Sequence, residues 1–153
     1  MDWNNMEIKM SVILALNLAL SLATVFLHTL ASSTTHRVTH AMIVRIKKAP
    51  NLLEETLMVS TIVILLSMFH LFEVLVWGMA LLMLGATANG PDAFYISLTA
   101  YTTLGPDNVV FDQRFRALLG FESLVGPLMI AWSTAVISTV LGRIAALKMP
   151  AGS

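Results

Sequence analysis

The chain has 153 residues, 57% hydrophobic and 12% charged, with a mean hydropathy of +0.80 and a net charge of zero. Soluble domains carry about 25% charged residues, so most of this surface is predicted to face lipid or other apolar helices, and the charge balance gives no electrostatic basis for binding nucleic acid. The absence of cysteine excludes disulfides, thiolate metal sites and cysteine nucleophiles.

The first apolar run extends from about Met10 to Ala31, with no formal charge between Lys9 and Arg37. It lacks a basic n-region and ends in Ala31-Ser32-Ser33-Thr34 without a convincing cleavage pattern, so it is read as a retained span and not as a signal peptide. Residues 1–31 thus form the N-terminal region and first transmembrane helix, and residues 32–55 a basic cytoplasmic or interfacial segment. Within that segment Val38, Met42, Ile43 and Ile46 share one side of a helix and Arg37, His40, Arg45 and Lys48 another, which suits either an interfacial helix on anionic headgroups or a solvated loop.

A second apolar run covers about Thr56 to Leu84, started by Glu54-Glu55 and stopped by Gly85. A third covers about Ala117 to Leu141 and carries Gly126-Pro127, a predicted kink. Each exceeds the roughly 20 residues that cross a hydrocarbon core of about 30 Å. Between them, Pro91 to Thr103 is too short to cross. Pro91 and Asp92 suit the first turn of a helix, and Phe94, Leu98 and Tyr101 give it one apolar face. This segment is predicted to be a re-entrant half-helix, residues 91–103, followed by a loop over 102–108. The second and third spans with the segment between them form one unit, 56–141, and 142–153 is a tail frayed after Leu147.

Basic residues orient the spans. Arg37, Arg45, Lys47, Lys48, Arg143 and Lys148 lie on one side, and Lys9, Arg114 and Arg116 on the other. The positive-inside rule then places the N-terminus outside and the tail in the cytoplasm.

Four ionisable residues fall within the spans: His28, His70, Glu73 and Glu122. Such groups are costly in a membrane and face protein or water. His70, Glu73 and Trp77 share a helix face by their spacing of three and four, expected to point inward at the back of the half-helix. Glu73 lies near mid-membrane, and Glu122 toward the outer end of its span. Three readings stay open for this face: a polar brace for the re-entrant loop, a proton sensor, or a metal site. His28, His70 and Glu73 are the candidate ligands, although His-x-x-Glu alone is an incomplete set. His36 and His40, four apart in a basic segment, are read as solvated. The ten methionines follow no repeated Met-x-x-Met pattern, and no phosphate loop or nucleophile elbow is present. No enzymatic activity and no resident cofactor is expected.

The run Tyr101-Thr102-Thr103-Leu104-Gly105-Pro106-Asp107-Asn108 carries a further signal. Together with His70, Glu73 and Trp77, then Tyr95-Ile96-Ser97, Arg116, Glu122 and Trp132-Ser133-Thr134-Ala135, it resembles small bacterial three-span proteins with an ion-channel domain, grouped with the potassium-channel pore family. The resemblance covers about residues 66 to 136. It implies an all-helical integral membrane protein of the bacterial inner membrane: three transmembrane helices, one pore helix, and a homotetramer whose four loops line a filter with backbone carbonyls.

The departure falls in the filter. The family pattern continues Gly-Tyr-Gly-Asp after Thr-Thr-Leu, whereas this chain has Gly105-Pro106-Asp107-Asn108. Proline lacks an N–H and fixes φ, and Asp107 stands where the second, conformationally free glycine belongs. Thr102, Thr103, Leu104, Gly105, Pro106 and Asp107 are therefore expected to line a path for monovalent cations with weak or unusual selectivity. Two alternatives remain: an accessory subunit beside other membrane chains, and a membrane metal-binding protein.

Overall fold

The computed structural model describes residues 3–46, 49–107 and 109–148, with side chains in the first helix from Ser11 onward. Lys47, Lys48, Asn108 and the tail beyond Lys148 lie outside the described residues. Helix α1 spans Trp3–Arg45, α2 Leu52–Met83, α3 Gly90–Tyr101 and α4 Arg116–Ala146, with a 3-10 turn at Gln113–Phe115 leading into α4. No strand occurs among the described residues. Three of the helices are long and apolar enough to cross a membrane, and α3 is not.

Local signals set the ends of these elements. The second helix begins at Leu52 rather than Thr56 because Asn51 closes a capping box: its side chain accepts from Glu54 N at 2.9 Å, and Glu54 Oε2 accepts from Asn51 N at 2.8 Å. It ends where Gly85 takes a left-handed φ of 69° and Ala86 N reaches back to Leu81 O at 2.9 Å, the glycine-ended C-cap. Asn89 caps α3 by accepting from Asp92 N at 2.9 Å. The helix stops at Tyr101, two residues before the predicted end, because Thr103 has a φ of 62°.

The first helix does not end at Ala31 but continues to Arg45. Its hydroxyl-rich stretch stays helical because Val38, Met42 and Ile43 pack on a cluster of Ala31, Met58, Ile62, Leu66, Val140 and Ile144, while Thr39 Oγ1 satisfies itself on the Thr35 carbonyl at 2.8 Å. Tertiary packing extends a helix that local composition would end. The fourth helix is continuous through Pro127 and runs to Ala146, past the expected Leu141.

Contacts fix the relative directions. Thr24 in the first half of α1 meets Trp77 late in α2, whereas Ala31 clusters with Met58 and Ile62 early in α2. Leu118 at the start of α4 packs on Trp77 and Leu81, and Ile144 near its end packs on Met58. Both α1 and α4 are therefore antiparallel to α2.

The first helix is apolar outside and polar inside. Leu14, Leu18, Leu22, Phe26 and Leu30 are exposed, while Asn17, Thr24, His28, Thr35 and Thr39 are buried. Water would favour the reverse, whereas lipid favours apolar side chains outside and small or polar ones where helices touch. Together with the three long apolar helices, this makes the chain an integral membrane protein.

The short helix α3 wedges between α2 and α4, and two glycines admit it. A Cβ on Gly126 would stand 2.2 Å from the Tyr101 carbonyl oxygen, and one on Gly78 would stand 3.2 Å from that of Ala93. Its inner face is Ala93, Ile96, Ser97, Ala100 and Tyr101, all buried. Phe94 and Leu98 pack around the neighbouring cluster of Val74, Tyr101, Val125 and Met129.

Candidate functional site

Residues 102–107 follow directly from the C-terminal end of α3. Two left-handed residues, Thr103 at φ 62° and Gly105 at φ 76°, fold the chain back so that Gly105 N donates to Thr99 O at 3.0 Å. Glycine takes this conformation freely, but a β-branched threonine does so under strain of about 1–3 kcal/mol. Thr102 Oγ1 donates to Leu98 O at 2.8 Å. Among the described residues, no hydrogen bond is accepted by a carbonyl from Thr102 to Asp107. Thr102, Thr103, Leu104, Pro106 and Asp107 are exposed, Leu104 by 80%. Unengaged carbonyls at the negative end of a helix are suited to meeting a cation.

Behind the loop lies a buried polar cluster to which all four helices contribute. From α1, His28 Nδ1 approaches Glu73 Oε1 of α2 at 3.0 Å. From α3, the Tyr101 hydroxyl donates to Glu73 Oε2 at 2.5 Å. His70 places Nδ1 2.8 Å from the Tyr101 oxygen and Nε2 2.9 Å from Ser133 Oγ of α4. His28 and Glu73 are fully buried, and Tyr101 and Ser133 nearly so. Both carboxylate oxygens of Glu73 are met, which satisfies a group that would be prohibitively costly in this setting if left alone.

One donor atom each from His28, His70 and Glu73 lies within 4.8 Å of the others, close enough to share a metal ion. Histidine and carboxylate suit a borderline divalent cation. The three side chains are already engaged in the hydrogen bonds just described, so an ion would compete with those contacts.

A second carboxylate holds the middle of α3. The Ser97 hydroxyl stands 2.7 Å from the Val74 carbonyl and in hydrogen-bond contact with Glu122 Oε1. Through these two contacts the Ser97 side chain links α3 to both α2 and α4. Ser123 Oγ donates to the Ala100 carbonyl at 2.9 Å, adding a third tie between α4 and α3. Trp77 is fully buried and donates from Nε1 to Thr24 Oγ1 at 2.9 Å, joining α2 to α1.

At the far end of the loop, Asp112 N donates to the Ala86 carbonyl at 3.0 Å, and Asp112 caps the 3-10 turn through Arg114 N at 2.9 Å. The Arg114 guanidinium beside it, 2.5 Å away, holds the Asp112 carboxyl below its usual range.

The sequence-predicted residues thus fall into two groups. Thr102 to Asp107 form one exposed loop, while His28, His70, Glu73, Trp77 and Glu122 sit behind the helix that carries it. Tyr101, Ser97 and Ser133 stand out in the sequence only as parts of motifs, yet they supply the partners of Glu73, Glu122 and His70. The polar positions Asn17, Thr24, His28, Thr35 and Thr39, alternately seven and four apart in an apolar helix, are the available signal for the inward face of α1.

Residues 69–143 match the family model described as an ion channel. No curated protein and no solved structure matches the chain. The matched segment contains His70, Glu73, all of α3, the loop, Glu122 and nearly all of α4. This all-helical chain, with three helices able to cross a membrane, therefore carries a segment, residues 69–143, that matches an ion channel domain.

Proposed function

We propose that the chain is a pore-forming subunit that assembles as a homotetramer and passes monovalent cations with weak discrimination between K⁺ and Na⁺. The observation that carries this reading is the loop of residues 102–107, which presents unengaged carbonyls and a left-handed Gly105 at the C-terminal end of α3. In the proposed assembly α3 is a re-entrant pore helix entering from the outer face, and four such loops surround the axis. Carbonyls of Thr102 to Gly105 then stand in for part of an ion's hydration shell. The exposed Leu104 and Val110 meet neighbouring copies. Asp107, repeated four times, forms an acidic ring that concentrates cations at the mouth. Glu73 with Tyr101 and Glu122 with Ser97 brace the pore helix from behind.

Weak selectivity follows from Pro106 and Asp107. A proline cannot donate a backbone hydrogen bond, and the site lacks the second glycine that lets successive carbonyls point at one axis. The same two residues favour a second reading, a non-conducting subunit of a larger membrane complex. Mass measurement of the detergent-extracted assembly separates the two. A fourfold homomer with ion flux in liposomes supports the pore, and a single copy beside unrelated chains supports the accessory subunit. We place the N-terminus outside and the C-terminus in the cytoplasm, following the distribution of Lys and Arg.

A further inference from the structure

Between α1 and α4, at the end where basic residues gather, a cleft of about 220 Å³ is lined by Ser32, Thr35, His36, Thr139 and Arg143, with two valines as an apolar wall. Most threonine hydroxyls on these helices are satisfied within their own helix. Thr24, Thr29, Thr39 and Thr139 each donate to the carbonyl four residues back. Thr35 is fully buried, yet its Oγ1, like Ser32 Oγ, has no hydrogen-bond partner among the described residues. A buried hydroxyl without a partner costs free energy that a ligand can recover.

The charges around the cleft are also unbalanced. Arg143 NH1 donates to His36 Nε2 at 3.3 Å, a contact that places both side chains at the rim and leaves the guanidinium charge without a counter-charge. Among the described residues no carboxylate pairs with Arg143. The two acidic side chains at this end are committed elsewhere, Glu54 to the Asn51 cap and Glu55 to Lys148. A guanidinium fork beside hydroxyl donors is a recognised chemistry for a tetrahedral oxyanion.

Depth points to the same ligand. The fourth helix has 31 residues and is about 46 Å long at roughly 1.5 Å per residue. The hydrocarbon core is only about 30 Å thick, and Arg143 sits in the last turn of the helix. A helix of this length reaches beyond the core, and an arginine in its last turn suits the headgroup region.

We propose that the α1–α4 cleft binds a phosphate group, with Arg143 and His36 at the rim and the Ser32 and Thr35 hydroxyls as inner donors. The phosphate belongs either to a phospholipid headgroup or to soluble phosphate.

The test uses the full chain purified in detergent, with lipid retention read by native mass spectrometry. Phosphatidylglycerol is compared with diacylglycerol, which has the tails and no phosphate. The wild type should retain phosphatidylglycerol selectively. Arg143→Gln should weaken retention about tenfold or more, as expected for loss of a charge-assisted contact. Thr35→Val should weaken it and Thr35→Ser should preserve it. If Arg143→Gln does not yield folded protein, the Thr35 pair decides. Arg45→Gln, an exposed arginine outside the cleft, is the control for general surface charge. If inorganic phosphate displaces the lipid, or binds with the same dependence on Thr35 and Arg143, the cleft takes soluble phosphate. If it does neither, the cleft takes a headgroup. The proposal is overturned if phosphatidylglycerol is not preferred and inorganic phosphate does not bind. It is also overturned if Thr35→Val retains full binding, or if Arg45→Gln weakens retention as much as Arg143→Gln.

Discussion

The Tyr101 hydroxyl donates to the Glu73 carboxylate, tying the last residue of α3 to the middle of α2 directly behind the loop of residues 102–107. This contact joins the part of the chain that resembles a filter to the part that is buried in the helix bundle. Removing it should therefore be felt at both places.

Tyr101→Phe deletes the donor and keeps the ring. One Glu73 oxygen then loses a partner, at a cost of about 1–3 kcal/mol, and the thermal midpoint of the assembly should fall. Glu73→Gln, which still hydrogen-bonds, should be milder than Glu73→Ala. Heated size-exclusion chromatography checks the order. Equal stability for wild type, Tyr101→Phe and Glu73→Ala would mean that this pair braces nothing.

The two glycines at the α3 wedge predict a graded series. Gly126→Ala drives a methyl into the Tyr101 backbone, where a Cβ would stand 2.2 Å from the carbonyl oxygen, and should disrupt assembly. Gly78→Ala, at 3.2 Å from the Ala93 oxygen, should cost about 1–3 kcal/mol, as overpacking does. Gly120 and Gly142 have open space around them, so alanine there should be neutral or should stabilise by about 0.5–1 kcal/mol. Denaturation midpoints of the four variants give the ranking. A Gly126→Ala protein as stable as Gly120→Ala would contradict the packing of α4 on α3.

Much of this arrangement is legible in the sequence. The three spans follow from run length, and the position of α3 from Pro91, Asp92 and the apolar spacing of Phe94, Leu98 and Tyr101. Ends are less legible, because Asn51 reaches forward to Glu54 and Thr103 turns left-handed, and neither is a property of apolar pattern. The continuation of α1 past Ala31 is hidden because its support comes from Met58 and Ile62, far along the chain. Gly126 reads as half of a kink with Pro127, although its decisive neighbour is the Tyr101 carbonyl. The meeting of His28 with Glu73 is out of reach for the same reason: two helices must be placed side by side before a polar residue in each becomes a pair.

The Asp112–Arg114 pair predicts an acid-sensitive turn. The Asp112 carboxyl is held below its usual range by the adjacent guanidinium, so its contribution is present above the ordinary aspartate value of about 3.9. That contribution is lost as pH falls through the lower value of the folded protein. Arg114→Gln should move the Asp112 titration upward, toward the ordinary range, as read by carboxyl-carbon NMR. An unchanged midpoint would show that the guanidinium is not the cause.

If the loop of residues 102–107 is the proposed filter, restoring the family pattern in it should sharpen selectivity. Replacing Pro106 with Tyr and Asp107 with Gly together returns a backbone donor and the second glycine. K⁺ over Na⁺ discrimination should rise in the double variant, measured as a ratio of flux rates. No change in that ratio, with the assembly intact, would contradict the proposal that Pro106 and Asp107 weaken selectivity.

Flux in liposomes tests most directly whether this chain forms a cation pore of low discrimination. Purified protein is reconstituted, and uptake of K⁺, Na⁺ and Cl⁻ is followed side by side against protein-free liposomes. A pore of this kind should take up K⁺ and Na⁺ at comparable rates and little Cl⁻, with slower cation entry at low salt for Asp107→Asn. Intact tetramers that pass neither cation, or that pass K⁺ and exclude Na⁺, would contradict it.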